Sequence, residues 1–146
     1  MKLPHPRERL AGCCWLPRLA AKTRAYLRGE MPLSYRLAFG SAIGVDGYFL
    51  RQFRLTRRQV VAAVKSAPDN DALARWFTSL PSVNPMTIEA WNRYAPKLGA
   101  RNHPGHVTLG IVKYVFYPKS VARPVNSIFE AIIQDENLEE PGQLAE

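Results

Sequence analysis

The chain has 146 residues, 47% of them hydrophobic and 22% charged. That size and balance let one domain bury roughly 68–70% of its unfolded surface without disulfides or metals. No window approaches the roughly 18 consecutive apolar residues of a membrane span, and two adjacent cysteines, Cys13 and Cys14, exclude a disulfide scaffold. The net charge of +8 is lopsided: 13 Lys/Arg stand against 5 Asp/Glu up to Leu73, and seven of each follow. From Glu130 onward there are six acids and no base. A basic half of this kind attracts nucleic acid, an anionic membrane or an anionic small molecule, or serves solubility alone.

Residues 1–14 read as an irregular arm, because Pro4 and Pro6 block helix. Leu10-Ala11-Gly12-Cys13 matches a lipoprotein cleavage pattern, but the residues before it carry two prolines and three charges where an apolar stretch is required. A cytoplasmic protein is expected, and two free thiols fit a reducing compartment. The first helix is expected from Trp15 or Leu16 to Arg28, with Pro17 in its first turn and Gly29 as its stop. Leu16, Leu19, Ala20, Thr23, Tyr26 and Leu27 share one face. Arg18, Lys22, Arg24 and Arg28 spread over the other, with no acid in the segment to neutralise them.

Met31 to Tyr48 carries Gly40, Gly44 and Gly47 and reads mostly as a loop with a short turn of helix. Thr56 and Gln59 form a capping box, with Leu55 and Val60 as a hydrophobic staple, for a helix to about Lys65. Pro68-Asp69-Asn70-Asp71 opens the next helix, which ends near Ser79. Asn84-Pro85 is an N-cap followed by proline at the first helical position, and Pro96 ends or kinks that helix. Val107 to Tyr117 fits strand and helix alike. Val125, Ile128, Phe129, Ile132 and Ile133 form the apolar stripe of a last helix, and residues 137–146 read as a frayed acidic tail. The expected fold is all-α: a single compact helical domain over 15–136 of about five or six helices, with a glycine-rich loop after the first.

No P-loop and no nucleophile elbow is present. His103 and His106 supply two metal ligands at most, where a catalytic zinc needs three, so no metal or cofactor is expected. Cys13 and Cys14 are either packing residues or thiols activated beside a basic helix start. Gly40 to Gly47 is either a plain connector or a turn whose backbone N–H groups cradle an anion. Asp46 is the lone acid between Glu30 and Asp69, amid arginines. It is either a salt-bridge partner or a catalytic group that orients cations or moves a proton.

The segments Arg9-Leu10-Ala11-Gly12, Leu16-Pro17-Arg18-Leu19 and Lys22-Thr23-Arg24-Ala25 to Gly29 resemble the opening of the bacterial family catalogued as domain of unknown function 5069. Its pattern there is approximately R-x-x-G-G-x-x-x-L-P-R-x-x-D-K-x-R-A-x-L-x-G. Val45-Asp46-Gly47-Tyr48-Phe49-Leu50, Asn70 to Trp76, Glu89-Ala90-Trp91-Asn92 and Ser127-Ile128-Phe129-Glu130 to Asp135-Glu136 follow the family's later blocks in order. The resemblance implies an all-α, single-domain, cytoplasmic bacterial protein and no particular activity. The polar motif residues that match are Arg9, Arg18, Lys22, Arg24 and Asp46. The family's acid before the motif lysine is replaced by Ala21, so no role of that acid transfers.

The expected function is binding of an anionic small molecule (carboxylate, phosphate or sulfate) in a basic pocket between the first helix and the glycine-rich loop. Arg18 and Lys22 would hold the anion, Arg9, Arg24, Trp15 and Tyr48 would complete the site, and Asp46 would be the catalytic or orienting group. Any chemistry would be that of a cofactor-free lyase, isomerase or cyclase. The rival is a module for nucleic acid or an acidic protein. Nucleic acid is expected to bind only non-specifically, and no membrane contact is expected.

Overall fold

The computed structural model describes residues 1–107, 109 and 125–141. Seven α-helices carry the described part of the fold, with a small hairpin at its start. The hairpin, β1 (Arg9–Leu10) and β2 (Cys13–Cys14), pairs Arg9 with Cys14 and Leu10 with Cys13. It turns through Ala11 and Gly12, both at positive φ, as a two-residue turn of right-handed strands requires. This corrects the reading of residues 9–14 as irregular. Two residues per strand leave no alternation to detect, and Ala-Gly is not the usual turn pair.

Helix α1 (Leu16–Leu27) ends in a Schellman motif: Gly29 takes φ 70, its N–H donates to Tyr26 O, and Glu30 N–H donates to Ala25 O. Helix α2 (Leu33–Ala38) falls where a short turn of helix was expected within Met31 to Tyr48; none of its residues is buried, so no apolar stripe marks its bounds in the sequence. Helix α3 (Val45–Gln52) begins inside the predicted glycine-rich loop, so Asp46 and Gly47 sit in its first turn. A Cβ on Gly47 would lie 2.4 Å from Ser41 O, which is why that position takes glycine.

Helix α4 (Arg57–Ser66) starts at the Thr56–Gln59 capping box with both reciprocal hydrogen bonds in place. Asp69 caps α5 (Asn70–Thr78), and Asn84 caps α6 (Pro85–Tyr94). A single 3-10 turn, Ala95–Lys97, follows at Pro96. Val107 and Leu109 have helical backbone, and the rest of 107–117 lies outside the described residues. The last helix, α7 (Ile128–Glu136), is capped by Ser127 and buries Ile128, Phe129 and Ile132, with Val125 and Ile133 half-buried.

Phe49, Phe53, Phe77 and Trp91 form an aromatic core, each 0% exposed. Their ring centroids are 4.9 Å (Phe49–Phe53), 5.1 Å (Phe53–Phe77) and 5.4 Å (Phe49–Trp91) apart. Trp91 Nε1 donates to Cys14 O, while Asn92 accepts from Cys14 N and donates to Gly12 O. The Trp-Asn pair on α6 thereby fastens the hairpin against the core. Near the end of the described residues, Arg7 Nη1 pairs with Glu140 at 3.0 Å. Residues 142–146 lie outside the described part.

Candidate functional site

Helix α1 buries both of its faces. Its apolar stripe enters the core through Leu16, Leu19 and Ala20, while Tyr26 and Leu27, expected on that stripe, are about 40% exposed. The opposite, basic face is covered as well: Arg18 is 2% and Lys22 4% exposed. Buried charges persist only when paired, and both are. Lys22 Nζ donates to Asp46 Oδ1 at 2.6 Å and Oδ2 at 2.7 Å. Arg18 Nη2 pairs with Glu136, and Nη1 donates to Pro4 O at 3.1 Å. The cations that lack acids in sequence therefore obtain them from α3 and from the last residue of α7.

Asp46 is 1% exposed. Besides Lys22 it accepts from Trp15 Nε1 at 2.8 Å and from Gly40 N at 2.9 Å. Each carboxylate oxygen thus accepts two hydrogen bonds, which fills its lone pairs. That geometry suits an orienting group and leaves no free position for taking a substrate proton. The glycine-rich loop faces its own chain in the same way. Gly40 N–H serves Asp46, and the N–H groups of Gly44 and Gly47 both donate to Ser41 O. Of the two readings of this loop, these internal hydrogen bonds favour the connector.

Trp15 caps α1 with φ 72, a left-handed conformation that costs a bulky residue about 1–3 kcal/mol. Its indole is fixed by the Asp46 hydrogen bond and by stacking on Phe129, with ring centroids 5.6 Å apart. Lys22 Nζ and the Arg18 guanidinium lie 4.8 and 5.5 Å from the indole centroid, within cation–π range. Burial pushes the Lys22 ammonium below its ordinary pKa of 10.5, Asp46 opposes that shift, and Arg18 reinforces it. The Tyr35 hydroxyl is pushed up to about 12, by burial first and then by Glu136.

Between these groups lies a cavity of about 20 Å³, lined by Trp15, Arg18, Lys22, Ser34, Tyr35 and Glu136, room for about one water. A cleft of about 880 Å³ opens between residues 1–8 and 136–141. Glu136 lines both.

The structure brings together Trp15, Arg18, Lys22 and Asp46 of the predicted site residues. Arg9, Arg24 and Tyr48 line neither cavity. Arg9 is exposed on β1 beside Glu89 and Asn92. Arg24 is half-buried on α1. Tyr48 packs edge-on to Tyr94 under the Arg51 guanidinium. Sequence reasoning missed Tyr35 and Glu136. Glu136 lies 118 positions from Arg18, so no local spacing could have joined them. Cys13 and Cys14 are buried, and burial raises both thiols, Cys14 to about 11, so they pack rather than react. His106 is engaged with Gly99 O, and among the described residues no group of three or more His, Cys, Asp or Glu side chains is placed to hold a metal.

A model of the family described as domain of unknown function, DUF5069, matches residues 2–137, and the chain belongs to that family. No curated protein matches it. No helix among the described residues is long and apolar enough to cross a membrane.

Proposed function

We propose that this protein binds a small anionic molecule, a carboxylate or phosphate, at Arg18 and Lys22, and that the Glu136 carboxylate holds the anion's place in the unliganded protein. The observation that carries the reading is Arg18 itself. It is an arginine 2% exposed, held by Pro4 O and Glu136, whose Nε is buried with no hydrogen-bond partner among the described residues. A guanidinium offers five donors in a fixed fork, and a bidentate anion would use the one that Glu136 leaves unmet. Lys22 adds charge, and Asp46 fixes the positions of Lys22 and Trp15. With the lone pairs of Asp46 filled, the arrangement favours binding over proton-transfer chemistry. A thermal-shift screen of carboxylates, phosphates and sulfates tests the reading: stabilisation that disappears in Arg18→Gln supports it, and a shift that the variant retains in full refutes it.

A second reading rests on a different surface. Arg36, Arg51, Arg54, Arg57 and Arg58 are all exposed, and the one acid from Met31 to Pro68 is the buried Asp46. Arg57 lies over the Tyr26 and Phe39 rings, and Arg51 over Tyr48, so two of these guanidiniums are held in place. This face suits a nucleic-acid backbone or an acidic protein. Phe39, Phe49 and Phe53 are buried, which removes them as stacking platforms for bases and favours the small-molecule reading.

A further inference from the structure

We infer that the ligand of this site is a zwitterion of the amino-acid type, its carboxylate on Arg18 and its ammonium on Glu136, with its side chain in the cleft between residues 1–8 and 136–141. This rests on the small-anion reading above and narrows it.

The first argument is charge balance. Arg18 and Lys22 are already matched by Glu136 and Asp46, and Asp135 also lines the small cavity. A monoanion that takes the place of Glu136 on Arg18 leaves that carboxylate without its counterion in a half-closed site. Unbalanced buried charge is strongly disfavoured. A ligand with an ammonium beside its carboxylate restores the balance at the atom that loses its partner.

The second argument is the cleft that Glu136 faces. Its volume, about 880 Å³, falls within the roughly 300–1,000 Å³ of small-molecule sites. Leu3, Pro4, Leu138 and Pro141 supply apolar wall, suited to a side chain. Glu8, Glu139 and Glu140 stand there against Lys2, so the field favours a cationic group over a bare anion. Glu140 is itself paired with Arg7.

A polar side chain in the same wall points to a ligand independently. The His5 side chain is 6% exposed, its Nδ1 accepts from Arg7 N at 3.1 Å, and its Nε2 is buried without a hydrogen-bond partner, 3.8 Å from Glu140. With Nδ1 as acceptor, the neutral ring carries its proton on Nε2. That N–H is an unmet donor on a residue that lines the cleft, one that a ligand carboxylate or side-chain oxygen would satisfy. Burial lowers the pKa of His5, which keeps the ring in this neutral form.

The test is titration calorimetry on the whole chain with the twenty free amino acids. For each binder, the matching carboxylic acid without the amine and the matching amine without the carboxylate are titrated too. The expected result is at least one amino acid that binds about tenfold or more tightly than either analogue. In Glu136→Gln the preference for the amine should vanish and the plain carboxylate should gain affinity. Equal affinity for an amino acid and its deaminated acid, abolished in Arg18→Gln, overturns the zwitterion while keeping the anion site. Absence of binding by every amino acid and every carboxylate overturns both. Circular dichroism of each variant confirms folding. Should Arg18→Gln not fold, Glu136→Gln alone decides between zwitterion and plain anion.

Discussion

Lys22 and Asp46, 24 positions apart in sequence, meet as a buried pair in which one ammonium spans both carboxylate oxygens at 2.6 and 2.7 Å. The pair joins α1 to α3 and, through Trp15 Nε1 and Gly40 N, fixes the start of α1 and the loop before α3. Its worth to the fold is measured by what remains when one partner is removed. Breaking a buried pair leaves an uncompensated charge and costs about 3–5 kcal/mol. Asp46→Asn is expected to lower stability by that order in denaturant unfolding. Replacing both partners, as Lys22→Met with Asp46→Leu, is expected to recover part of the loss.

The loop that contacts α3 constrains Gly47 through space rather than through φ. Ser41 O and Ala42 Cα lie 2.4 and 2.7 Å from where a Cβ would sit. Gly47→Ala is expected to cost about 1–3 kcal/mol by overpacking. At Gly29, φ is +70 with open space around the Cβ position, so Gly29→Ala is expected to cost about 1 kcal/mol from backbone conformation alone. Paired urea melts separate the two, and equal losses would mean the loop gives way freely.

Phe129 is fully buried and stacks on Trp15. Phe129→Ala is expected to cost about 3–5 kcal/mol, whereas Met86→Ala, at a side chain 79% exposed, is expected to stay within about 0.5 kcal/mol. Similar melting temperatures for the two variants would show that α7 is not docked as described. Because α7 carries Glu136, loss of its docking would also open the Arg18 site.

His5 gives the fold a pH dependence with a definite sign. Burial, reinforced by Arg7 and Arg18 and opposed by Glu140, depresses its folded pKa below the ordinary 6.5. The folded state therefore favours the neutral ring. This contribution is fully present above 6.5 and is lost as pH falls through the depressed folded value. Denaturant midpoints measured from about pH 8 down to about pH 5, around the ordinary range of histidine, should fall less steeply in His5→Gln than in the wild type. Parallel profiles would remove His5 as the cause.

The exposed arginines of α2 to α4 are expected to bind nucleic acid only through counterion release, with Kd in the roughly 10⁻⁴–10⁻⁶ M range at physiological salt. Fluorescence anisotropy across a salt series checks this. Binding about a thousandfold tighter, with preference for one sequence or strand type, would move the functional assignment to that face.

The parts legible in sequence are those governed by neighbours a few residues apart. The Thr56–Gln59 and Asn84-Pro85 caps, the Gly29 stop and the stripe through Ile128, Phe129 and Ile132 all follow from local hydrogen bonding and helical period. Among the site residues, Arg18, Lys22 and Asp46 stood out because a cation without a nearby acid, or an acid amid cations, needs a partner, and Trp15 as an aromatic beside them. Which partner it finds is set by tertiary folding. The Arg18–Glu136 and Lys22–Asp46 pairs close the basic face of α1 with acids from distant segments, and α2 packs none of its residues deeply enough to mark a period. Arg9 and Tyr48 share the motif blocks but face other surfaces, since adjacency in a motif does not fix direction in a fold.

The measurement that bears most directly on the site is titration of carboxylates and phosphate into three proteins: wild type, Arg18→Gln and Glu136→Gln. If Glu136 holds the place of an anion on Arg18, Glu136→Gln binds a simple carboxylate about tenfold or more tightly than the wild type, a change of about 1.4 kcal/mol, and Arg18→Gln does not bind it. Unchanged affinity in both variants, or no binding in any of the three, would contradict the account and leave the Arg18–Glu136 pair as a brace between the first and last helices.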